Sequence, residues 1–479
     1  MLWWHMHQPL YKDPFSEEYI LPWTLLHAIK DYYNMPKKSR MYDIKVNFNL
    51  TPVLIDQIQD YQKEDVNCAL LKKLLPPSDK LFWENLIRTM PYQLSTRIRG
   101  LEEIKKEIES TGHTSRPIIK ISSLYFLSWF PEYHGEIAKL KDKAERVLVD
   151  EKDIRDIIKQ ARKIIQKVIQ EYVKIKEEKK GDISVSPYYH PLIPLLIDFN
   201  SAREAVPDIP LPSEDFSLKD DAKEHIILAV EKYKTIFGQR PTFMWPSEGG
   251  VSMEAIELIS KFGFGLIGTD EDVLFNSIGS RQKTLIYKKY KLDKTVIIFR
   301  DKELSDLIGF SYQHLNSKEA VSDFIGRLRK IYEFSEKSPL VSVILDGENC
   351  WEYYPNNGQD FIENLYVELE RNKSWIETLS LQEVLERDDV PSSSEISYLK
   401  AGSWIYGNFL KWIGHPEKNK FWNELIKVRK SVADARDKKN LLVAEGSDWF
   451  WWQGESHQVE FDRLFRNNLK RFLEVNSFV

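Results

Sequence analysis

FMWPSEGGVSMEAIELISKFGFGLIG, residues 243–268, combines a strand, a loop, a helix and a second strand in immediate succession. The apolar run Phe243–Trp245 ends in a loop of proline, serine, glutamate and two glycines. A helix then begins after Ser252, with one apolar face at the helical period, and it ends at Gly263. The apolar run Leu266–Gly268 follows. This order predicts two parallel strands, with the loop at the carboxyl end of the first strand, where barrel enzymes place their chemistry.

Strand-like runs recur on both sides of this unit, with helical stretches between them. They are Val46–Leu50, Ile118–Ile121, Ile183–Val185, Val296–Phe299 and Val341–Leu345. The clearest helix covers residues 154–172, where isoleucine, alanine and valine follow the helical period, and residues 179–181 (Lys-Lys-Gly) supply its end. Alternating strands and helices predict an α/β fold built on a parallel sheet or barrel.

Length and composition divide the chain into two unequal parts. The chain has 479 residues, and (β/α) barrels regularly use more than about 200 residues as one unit. Near Asp388–Ser394 a polar linker precedes an aromatic, mostly helical tail. We therefore predict a catalytic barrel with helical insertions over residues 1–390 and a helical C-terminal domain over residues 391–479. A shorter break at Pro76–Asp79 is interpreted as a loop.

The charge balance argues against a partner that is recruited by electrostatics alone. The net charge is −5, from 68 basic and 73 acidic side chains, so we expect neither nucleic acid nor a membrane as a partner. The 14 Trp, 22 Tyr and 24 Phe fit either a large core or stacking on the apolar faces of sugars. Only Cys68 and Cys350 are present, and neither a signal peptide nor a membrane-length apolar run is found. We expect a soluble, cytoplasmic protein, and abundant Lys, Glu and Ile indicate a heat-adapted one.

Two histidine-containing segments stand directly beside strand-like runs, where a barrel gathers its active site. His5 and His7 lie at alternate positions of the first strand and therefore point to the same side. This pair suits metal ligation, sugar binding, or a structural role as interior histidines. The second segment, Ser186–Pro191, presents two phenols and the imidazole of His190 between prolines, either as a binding loop or as a plain aromatic turn.

Two carboxylate-containing segments occupy equivalent places. Glu248 follows a strand and stands between a tryptophan and two glycines, which let a substrate approach the backbone closely. The apolar run Val341–Leu345 ends abruptly in Asp346-Gly-Glu348-Asn, where burial shifts carboxylate pKa values. A calcium site or a helix cap is the alternative, and the absence of a spaced D-x-D-x-D-G loop counts against calcium. Two carboxylates from different strands are what glycoside cleavage needs, although other acid/base chemistry fits the same pair.

Taken together, these segments resemble the ordered motifs of glycoside hydrolase family 57, particularly its α-amylase and amylopullulanase-like members, over almost the whole chain. The segments are His7-Gln8-Pro9, Ser186–Pro191, Trp245–Gly249, Leu345–Asn349, and Gly402–Ile405 with Trp412–Pro416. Residues 299–310 and 444–452 resemble the same subgroup. The resemblance implies an incomplete (β/α)7 TIM-like barrel followed by a mostly helical C-terminal domain. It also implies an α-glucan substrate, retention of anomeric configuration, and no cofactor or metal.

The resemblance further implies roles for individual residues. Glu248 matches the family's nucleophile, which must be ionised, and Asp346 matches its acid/base, which burial should hold partly protonated. The candidates for sugar contacts, with the tryptophans as stacking platforms, are His5, His7, His190, Trp245, Asp301, Glu348, Trp351, Trp404, His415, Asp448 and Trp449. The C-terminal domain is expected to close the open side of the barrel and contribute to the cleft.

Three alternatives remain open at this stage. A 4-α-glucanotransferase or branching enzyme would use the same carboxylates and pass the glycosyl group to another sugar. A metal-dependent, deacetylase-like barrel hydrolase would use His5, His7 and Asp346 as ligands and would lose activity on chelation. A non-catalytic glucan-binding protein would use its aromatic tail and release no reducing ends.

Overall fold

The computed structural model describes residues 1–75, 79–110, 115–146, 149–214, 216–335, 337–393, 396–432, 435–455 and 459–477. Within these ranges nine strands form one sheet. They are β1 Leu2–Met6, β2 Asn47–Leu50, β3 Ile183–Val185, β4 Phe243–Met244, β5 Leu266–Asp270, β6 Lys289–Leu292, β7 Thr295–Arg300, β8 Val343–Asp346 and β9 Ser392–Ser393. Of the predicted loop at Pro76–Asp79, residues 76–78 lie outside the described residues, and Asp79 caps the helix Lys80–Thr89.

The sheet is an incomplete barrel, as predicted. Its strand order is β8-β1-β2-β3-β4-β5-β7-β6-β9, and the seven strands from β8 to β7 run parallel. Strand β6 forms an antiparallel hairpin with β7 and occupies the edge that would otherwise pair with β8. The barrel therefore stays open between β7 and β8. Two hydrogen bonds bridge this gap. Arg300 Nε donates to the carbonyl oxygen of Ile344 (2.7 Å), and the amide of Asp301 donates to the carbonyl oxygen of Ser342 (2.8 Å).

Helices fill the connections between strands. Between β1 and β3 they are α1 Trp23–His27, α2 Tyr33–Ser39, α3 Pro52–Tyr61, α4 Ala69–Leu74, α5 Lys80–Thr89, α6 Tyr92–Ser95, α7 Leu101–Ser110, α8 Ser115–Ser128, α9 Gly135–Glu145, α10 Glu151–Ile165 and α11 Val168–Glu177. Between β3 and β9 they are α12 Ile193–Ile197, α13 Ala202–Ala205, α14 Lys219–Phe237, α15 Met253–Lys261, α16 Glu271–Ile278, α17 Lys302–Asp306, α18 Ser317–Glu333, α19 Gln359–Arg371 and α20 Leu381–Glu386. The tail contains α21 Pro416–Ser431, α22 Lys439–Ala444, α23 Ser447–Trp451 and α24 Val459–Asn476.

Two local predictions need correction. The run Ile118–Ile121 is part of helix α8 and not a strand, and Ile118, Ile121 and Leu124 are buried at the spacing of one helical face. Periodicity does not separate a short apolar strand from a buried helix segment, which explains the error. The helix predicted over residues 154–172 is split into α10 and α11 by a break at Gln166 and Lys167. By contrast, Ser252 caps α15 as predicted, because its hydroxyl accepts a hydrogen bond from the amide of Ala255 (3.2 Å).

Strand alternation places the first histidine above a tryptophan core. Trp3 and Trp245 pack edge to face inside the barrel, with ring centroids 5.7 Å apart. A methyl group on Gly268 would lie 2.8 Å from the Trp3 ring, so this position of β5 needs glycine. His5 lies two residues after Trp3 on the same face of β1, so its ring points to the carboxyl end of the barrel. Within the described residues, tryptophan side chains thus fill the barrel interior, and polar groups line its carboxyl end.

The tail packs onto the loops that follow β3 and β4. Val251 and Gly402 exchange two backbone hydrogen bonds (2.9 and 3.0 Å), and the amide of Ser447 donates to the carbonyl oxygen of His190 (3.0 Å). Before reaching these helices the chain adds Ser392–Ser393 to the sheet beside β6. The C-terminal region therefore lies against the carboxyl ends of the barrel strands.

Candidate active site

Glu248 stands in a tight turn directly after β4. Its backbone has φ of +58°, and the following Gly249 has φ of +60°. A left-handed conformation is uncommon for residues other than glycine and is concentrated at functional sites, because surrounding contacts must stabilise it. The Glu248 side chain is buried, with a relative exposure of 7% for the residue.

The C-terminal region holds both oxygens of the Glu248 carboxylate. Ser447 Oγ donates to Glu248 Oε1 (2.8 Å), and Trp404 Nε1 donates to Glu248 Oε2 (2.9 Å). The Trp404 amide also donates to the backbone oxygen of Glu248 (3.0 Å). Hydrogen bonds to a carboxylate are stronger than neutral ones and fix its orientation. The carboxylate is therefore positioned by residues more than 150 positions away in the sequence.

Asp346 is the last residue of β8 and accepts a hydrogen bond from Asn349 Nδ2 (3.1 Å). Two residues further along, buried Glu348 turns back and accepts a hydrogen bond from the amide of His7 (3.1 Å). The guanidinium of Arg300 lies close enough to oppose the rise of the Asp346 pKa. At the end of β8, the Asp346 carboxylate thus faces the cleft, and the Glu348 carboxylate holds the backbone at the end of β1.

Both candidate catalytic carboxyls have raised pKa values. Burial, followed by the negative charge of Asp448, raises the pKa of Glu248 to about 8, while the hydrogen bonds from Ser447 and Trp404 oppose this rise. Burial also raises the pKa of Asp346 to about 6, and the Asn349 hydrogen bond opposes it. The raised pKa of Asp346 agrees with the expectation from sequence. The raised pKa of Glu248 disagrees with the expectation that this carboxyl is ionised, because it makes Glu248 the more basic member of the pair in the free site.

Three histidines stack at the carboxyl ends of β1 and β3. The ring centroids of His7 and His190 are 3.9 Å apart, and those of His5 and His190 are 5.1 Å apart. His5 Nδ1 donates to Asn49 Oδ1 (2.7 Å), and burial lowers the pKa of His5 to about 3. His7 Nε2 lies 3.0 Å from Asp448 Oδ2. The structure therefore brings together His5, His7, His190 and Asp448, four of the candidates for sugar contacts.

The hydrogen bonds of Ser447 define the tautomer of His190. When Glu248 is ionised, as its reacting form requires, the single Ser447 hydroxyl proton is donated to it, and His190 Nδ1, 3.1 Å from Ser447 Oγ, is the donor of that contact. Burial, followed by the nearby His7 and His5, lowers the pKa of His190 well below its usual value, so the ring is neutral. Its Nε2 is then a buried acceptor, and within the described residues it has no hydrogen-bond partner.

The predicted tryptophan platforms fall into two groups. Trp245, Trp351 and Trp449 are at most 1% exposed, and the indoles of the latter two donate to backbone oxygens of Gly347 and Val443. Their ring faces pack against the core. Trp404 is only partly buried and lies edge-on to Trp245, with centroids 5.3 Å apart. Trp404 is therefore the tryptophan of this set that the structure places at the carboxylate.

Asp301 and His415 have structural contacts of their own. Asp301 caps α17 through the amide of Leu304 (3.1 Å) and accepts hydrogen bonds from Lys283 (3.2 Å) and Tyr287 (3.0 Å). His415 is exposed at the start of α21, where its Nδ1 accepts the Glu417 amide (3.3 Å). Among the described contacts, none joins either side chain to Glu248 or Asp346. The structure does not bring these two residues to the carboxylate pair.

Ser447 and Asn49 are site residues that the sequence analysis missed. Asn49 bonds His5 and accepts a hydrogen bond from Ser186 Oγ (3.0 Å). A signal was present, because Asn47, Asn49 and Thr51 alternate along a buried strand, where polar side chains need partners. Ser447 lies beside Asp448 in a stretch already singled out, but only the fold shows that it reaches Glu248.

Two clusters have ligand atoms that converge within 4.8 Å in the described part of the chain: His7, His190 and Asp448, and His27, Asp31 and Glu352. The set expected for a deacetylase-like hydrolase, His5 with His7 and Asp346, is not one of them. No helix among the described residues is both long and apolar enough to cross a membrane.

Comparisons with known proteins identify the family. The family model described as glycosyl hydrolase family 57 matches residues 1–397. No curated protein sequence matches. Similar solved structures include a branching enzyme from Pyrococcus horikoshii, with 15% identity, a TM-score of 0.61, and coverage of 99% of this chain and 87% of the other. The α-amylase AmyC from Thermotoga maritima has 14% identity, a TM-score of 0.61, and coverage of 100% and 92%.

The 4-α-glucanotransferase from Thermococcus litoralis has 14% identity and a TM-score of 0.58, over 99% of this chain and 59% of the other. At these identities the structural likeness shows the fold alone, and it agrees with the incomplete barrel and helical tail described above. The family model covers most of the sequence and carries the assignment. The chain belongs to glycosyl hydrolase family 57 and is a carbohydrate-active enzyme.

Proposed function

We propose that this enzyme hydrolyses α-1,4-glucosidic bonds of α-glucans with retention, and α-1,6 bonds are the second candidate linkage. The observation that carries the proposal is the pair Glu248 and Asp346, a buried and a partly buried carboxyl at the carboxyl ends of β4 and β8, both with raised pKa values. Retaining glycosidases need one carboxylate that attacks the anomeric carbon and one carboxylic acid that protonates the leaving oxygen. Ser447 and Trp404 hold Glu248 for attack.

The proposed reaction is a double displacement. Glu248 forms a bond to the anomeric carbon while Asp346 gives its proton to the glycosidic oxygen, which leaves with the departing sugar. Asp346 then removes a proton from water, and the hydroxide oxygen displaces Glu248 from the glycosyl group. His7, His190 and Asp448 lie around this position and are the proposed contacts of sugar hydroxyls, while Glu348 holds the backbone of His7. His190 Nε2, a buried acceptor, suits a hydroxyl donor.

The pKa order of the free site sets the fraction of enzyme that is ready to react. With pKa values of about 8 for Glu248 and about 6 for Asp346, a singly protonated pair carries its proton mostly on Glu248. The arrangement that reacts, with ionised Glu248 and protonated Asp346, is therefore the minor one in the free site. Sugar binding increases this fraction if it displaces water from Asp346 and adds donors near Glu248.

The C-terminal region, assigned here to residues 391–479, is proposed as part of the active site and not as a separate binding module. Its Trp404 and Ser447 contact Glu248, and Asp448 contacts His7. It also reaches β7 beside the opening of the barrel, where the Arg300 guanidinium lies 5.7 Å from the Trp404 ring centroid. Loss of this region would therefore remove the groups that hold the nucleophile.

Transfer to a sugar acceptor is the second candidate function. Solved relatives of this fold are a branching enzyme, an α-amylase and a 4-α-glucanotransferase, and all three activities use a glycosyl-enzyme intermediate. The outcome depends on whether water or a sugar hydroxyl reaches the intermediate first. Product analysis on amylose and on pullulan separates the activities, because hydrolysis raises reducing ends and transfer redistributes chain lengths without raising them.

The test of the proposal is Glu248→Gln, with Glu271→Gln as control. Both glutamates are 7% exposed. Glu271 is not one of the two candidate catalytic carboxyls, and it forms an ion pair with Lys283. We expect Glu248→Gln to lose cleavage of amylose while still binding it, and Glu271→Gln to retain cleavage per folded molecule. Wild-type protein that binds amylose but releases no reducing ends at any pH or temperature would support the glucan-binding alternative. Loss of activity with a chelator would support the metal-dependent one.

A further inference from the structure

We propose that His7, His190 and Asp448 form a binding site for a divalent transition-metal ion of the Zn²⁺ class. One ligand atom from each residue lies within 4.8 Å of the other two. Two imidazoles and one carboxylate are a donor set that Zn²⁺ uses when a fourth position stays open. The cluster opens to the cleft through His7 and Asp448, whose side chains are 9% and 16% exposed.

His190 supplies the independent observation that points to a ligand. Its residue exposure is 1%, and its Nε2 has no hydrogen-bond partner among the described residues. With ionised Glu248 as the acceptor of the Ser447 proton, Nδ1 is the protonated nitrogen of His190, and Nε2 carries a free lone pair. A buried acceptor without a partner is costly, and a metal ion is one way to satisfy it.

Both imidazoles already have the outer hydrogen bonds that metal-binding histidines require. Thr51 Oγ1 lies 3.0 Å from His7 Nδ1, and Ser447 Oγ lies 3.1 Å from His190 Nδ1. Such bonds fix the ring and direct the other nitrogen to the metal. His7 shifts its proton to Nδ1, where Thr51 accepts it, so that Nε2 is free to bind. The stacked rings of His7 and His190 must tilt apart so that both lone pairs converge on the ion.

The second histidine cluster, formed by His27, Asp31 and Glu352, differs from the proposed metal site because it already contains a cation. At His27, the Lys30 ammonium lies 3.0 Å from Asp31 Oδ2 and 3.1 Å from Glu352 Oε1, so the carboxylates already have a buried cation. In the described part of the chain, neither lysine nor arginine pairs with Asp448. The negative charge of Asp448 is therefore available to a metal.

Metal binding would exclude the substrate. His190 Nδ1 lies 3.8 Å from Glu248 Oε1, so an ion on the other side of this ring lies near the nucleophile. It would also occupy three side chains that we propose as sugar contacts. We therefore expect Zn²⁺ to inhibit the enzyme in competition with glucan. This inhibition rests on the proposed function, whereas the binding of the metal ion is independent of it.

The experiment is titration of the full chain with ZnCl₂ by calorimetry, in a buffer without chelating components. We expect one strong site per chain, at least tenfold weaker in His7→Gln and in Asp448→Asn. Thr51→Val, which removes only the outer hydrogen bond of His7, should weaken binding roughly 10- to 100-fold. His134→Ala is the control, because His134 is 81% exposed on the surface and should leave the strong site unchanged. Melting temperatures without metal show that each variant is folded.

Co²⁺ absorption gives a second readout that is independent of activity. In wild-type protein, bound Co²⁺ should give the intense visible absorption band that is typical of a cobalt ion with few ligands. This band should disappear in Asp448→Asn. The inference is overturned if wild-type protein has no strong Zn²⁺ site, or if folded His7→Gln and Asp448→Asn bind as tightly as wild type. An enzyme that cleaves amylose but binds no Zn²⁺ contradicts only this inference. A protein that binds Zn²⁺ at these residues but never cleaves glucans contradicts only the proposed function.

Discussion

Removal of the Ser447 hydroxyl should disable the nucleophile without removing it. In Ser447→Ala, Glu248 Oε1 loses its donor at 2.8 Å, and His190 Nδ1 loses its acceptor. A hydrogen bond to a charged group contributes about 1.5–3 kcal/mol, so the carboxylate form of Glu248 is disfavoured by that amount. Because the carboxylate is the reacting form, kcat/KM should fall roughly 10- to 150-fold.

The pH profile distinguishes this effect from general damage. Losing a donor to the carboxylate raises the pKa of Glu248 further above its value of about 8 in the wild type, so the alkaline limb of kcat/KM should move to higher pH. The assay is initial-rate release of reducing ends from a maltooligosaccharide between pH 4 and pH 10, a range chosen to span both pKa values. Ser447→Thr, which keeps the hydroxyl, should restore most of the activity.

Ser123→Ala is the matched control. Ser123 is 1% exposed, as Ser447 is, and its hydroxyl bonds the backbone oxygen of Ile119 within α8. This variant should cost a similar amount of stability and leave the pH profile in place. If Ser447→Ala has wild-type kcat/KM and an unshifted alkaline limb, the argument that the C-terminal region holds the nucleophile is refuted.

Further outcomes follow from the same geometry. Wild-type kcat/KM should be bell-shaped with limbs near about 6 and about 8, because the pair carries the single proton that the reaction needs only between these values, with both carboxyls protonated below and both ionised above; a flat profile would contradict the assignment. Asp448→Asn removes a negative charge that raises the pKa of Glu248, so its alkaline limb should move to lower pH. Trp404→Phe keeps a ring but loses the donor to Glu248, so kcat/KM should fall roughly 10-fold or more, whereas Trp375→Phe, which loses a bond to Asn372, should not change it. His415→Ala should lower the unfolding free energy by at most about 1 kcal/mol and leave turnover unchanged, since the side chain caps α21.

Most of the barrel could be predicted because its strands carry strong local signals. Strands β2, β3, β4, β5, β7 and β8 overlap apolar runs that are visible in the sequence. Strand β6 was missed because its alternating pattern covers only four residues, and β9 was missed because its two serines pair with β6 only through tertiary contact. The error at Ile118–Ile121 has the same origin, since four apolar-rich residues do not define a period.

The site was predicted in part because parallel strands bring their carboxyl ends together. His5 lies near the carboxyl end of β1, and His7, His190 and Glu248 follow strands, so the topology alone makes them neighbours. Ser447 could not be found in this way, because its contact with His190 spans 257 residues and depends on how α23 packs. The pKa order of Glu248 and Asp346 was also beyond the sequence, since it depends on burial and on the charge of Asp448.

The central claim is that Glu248 becomes covalently bound to the sugar. The most direct measurement is mass spectrometry of protein treated with a 5-fluoro-α-glucosyl fluoride, whose ring fluorine slows hydrolysis of the glycosyl-enzyme more than its formation. We predict one added fluoroglucosyl group per chain, on the peptide that contains Glu248, and none in Glu248→Gln. A label on Asp346 or elsewhere, or an unlabelled enzyme that releases products of inverted configuration, would contradict the account.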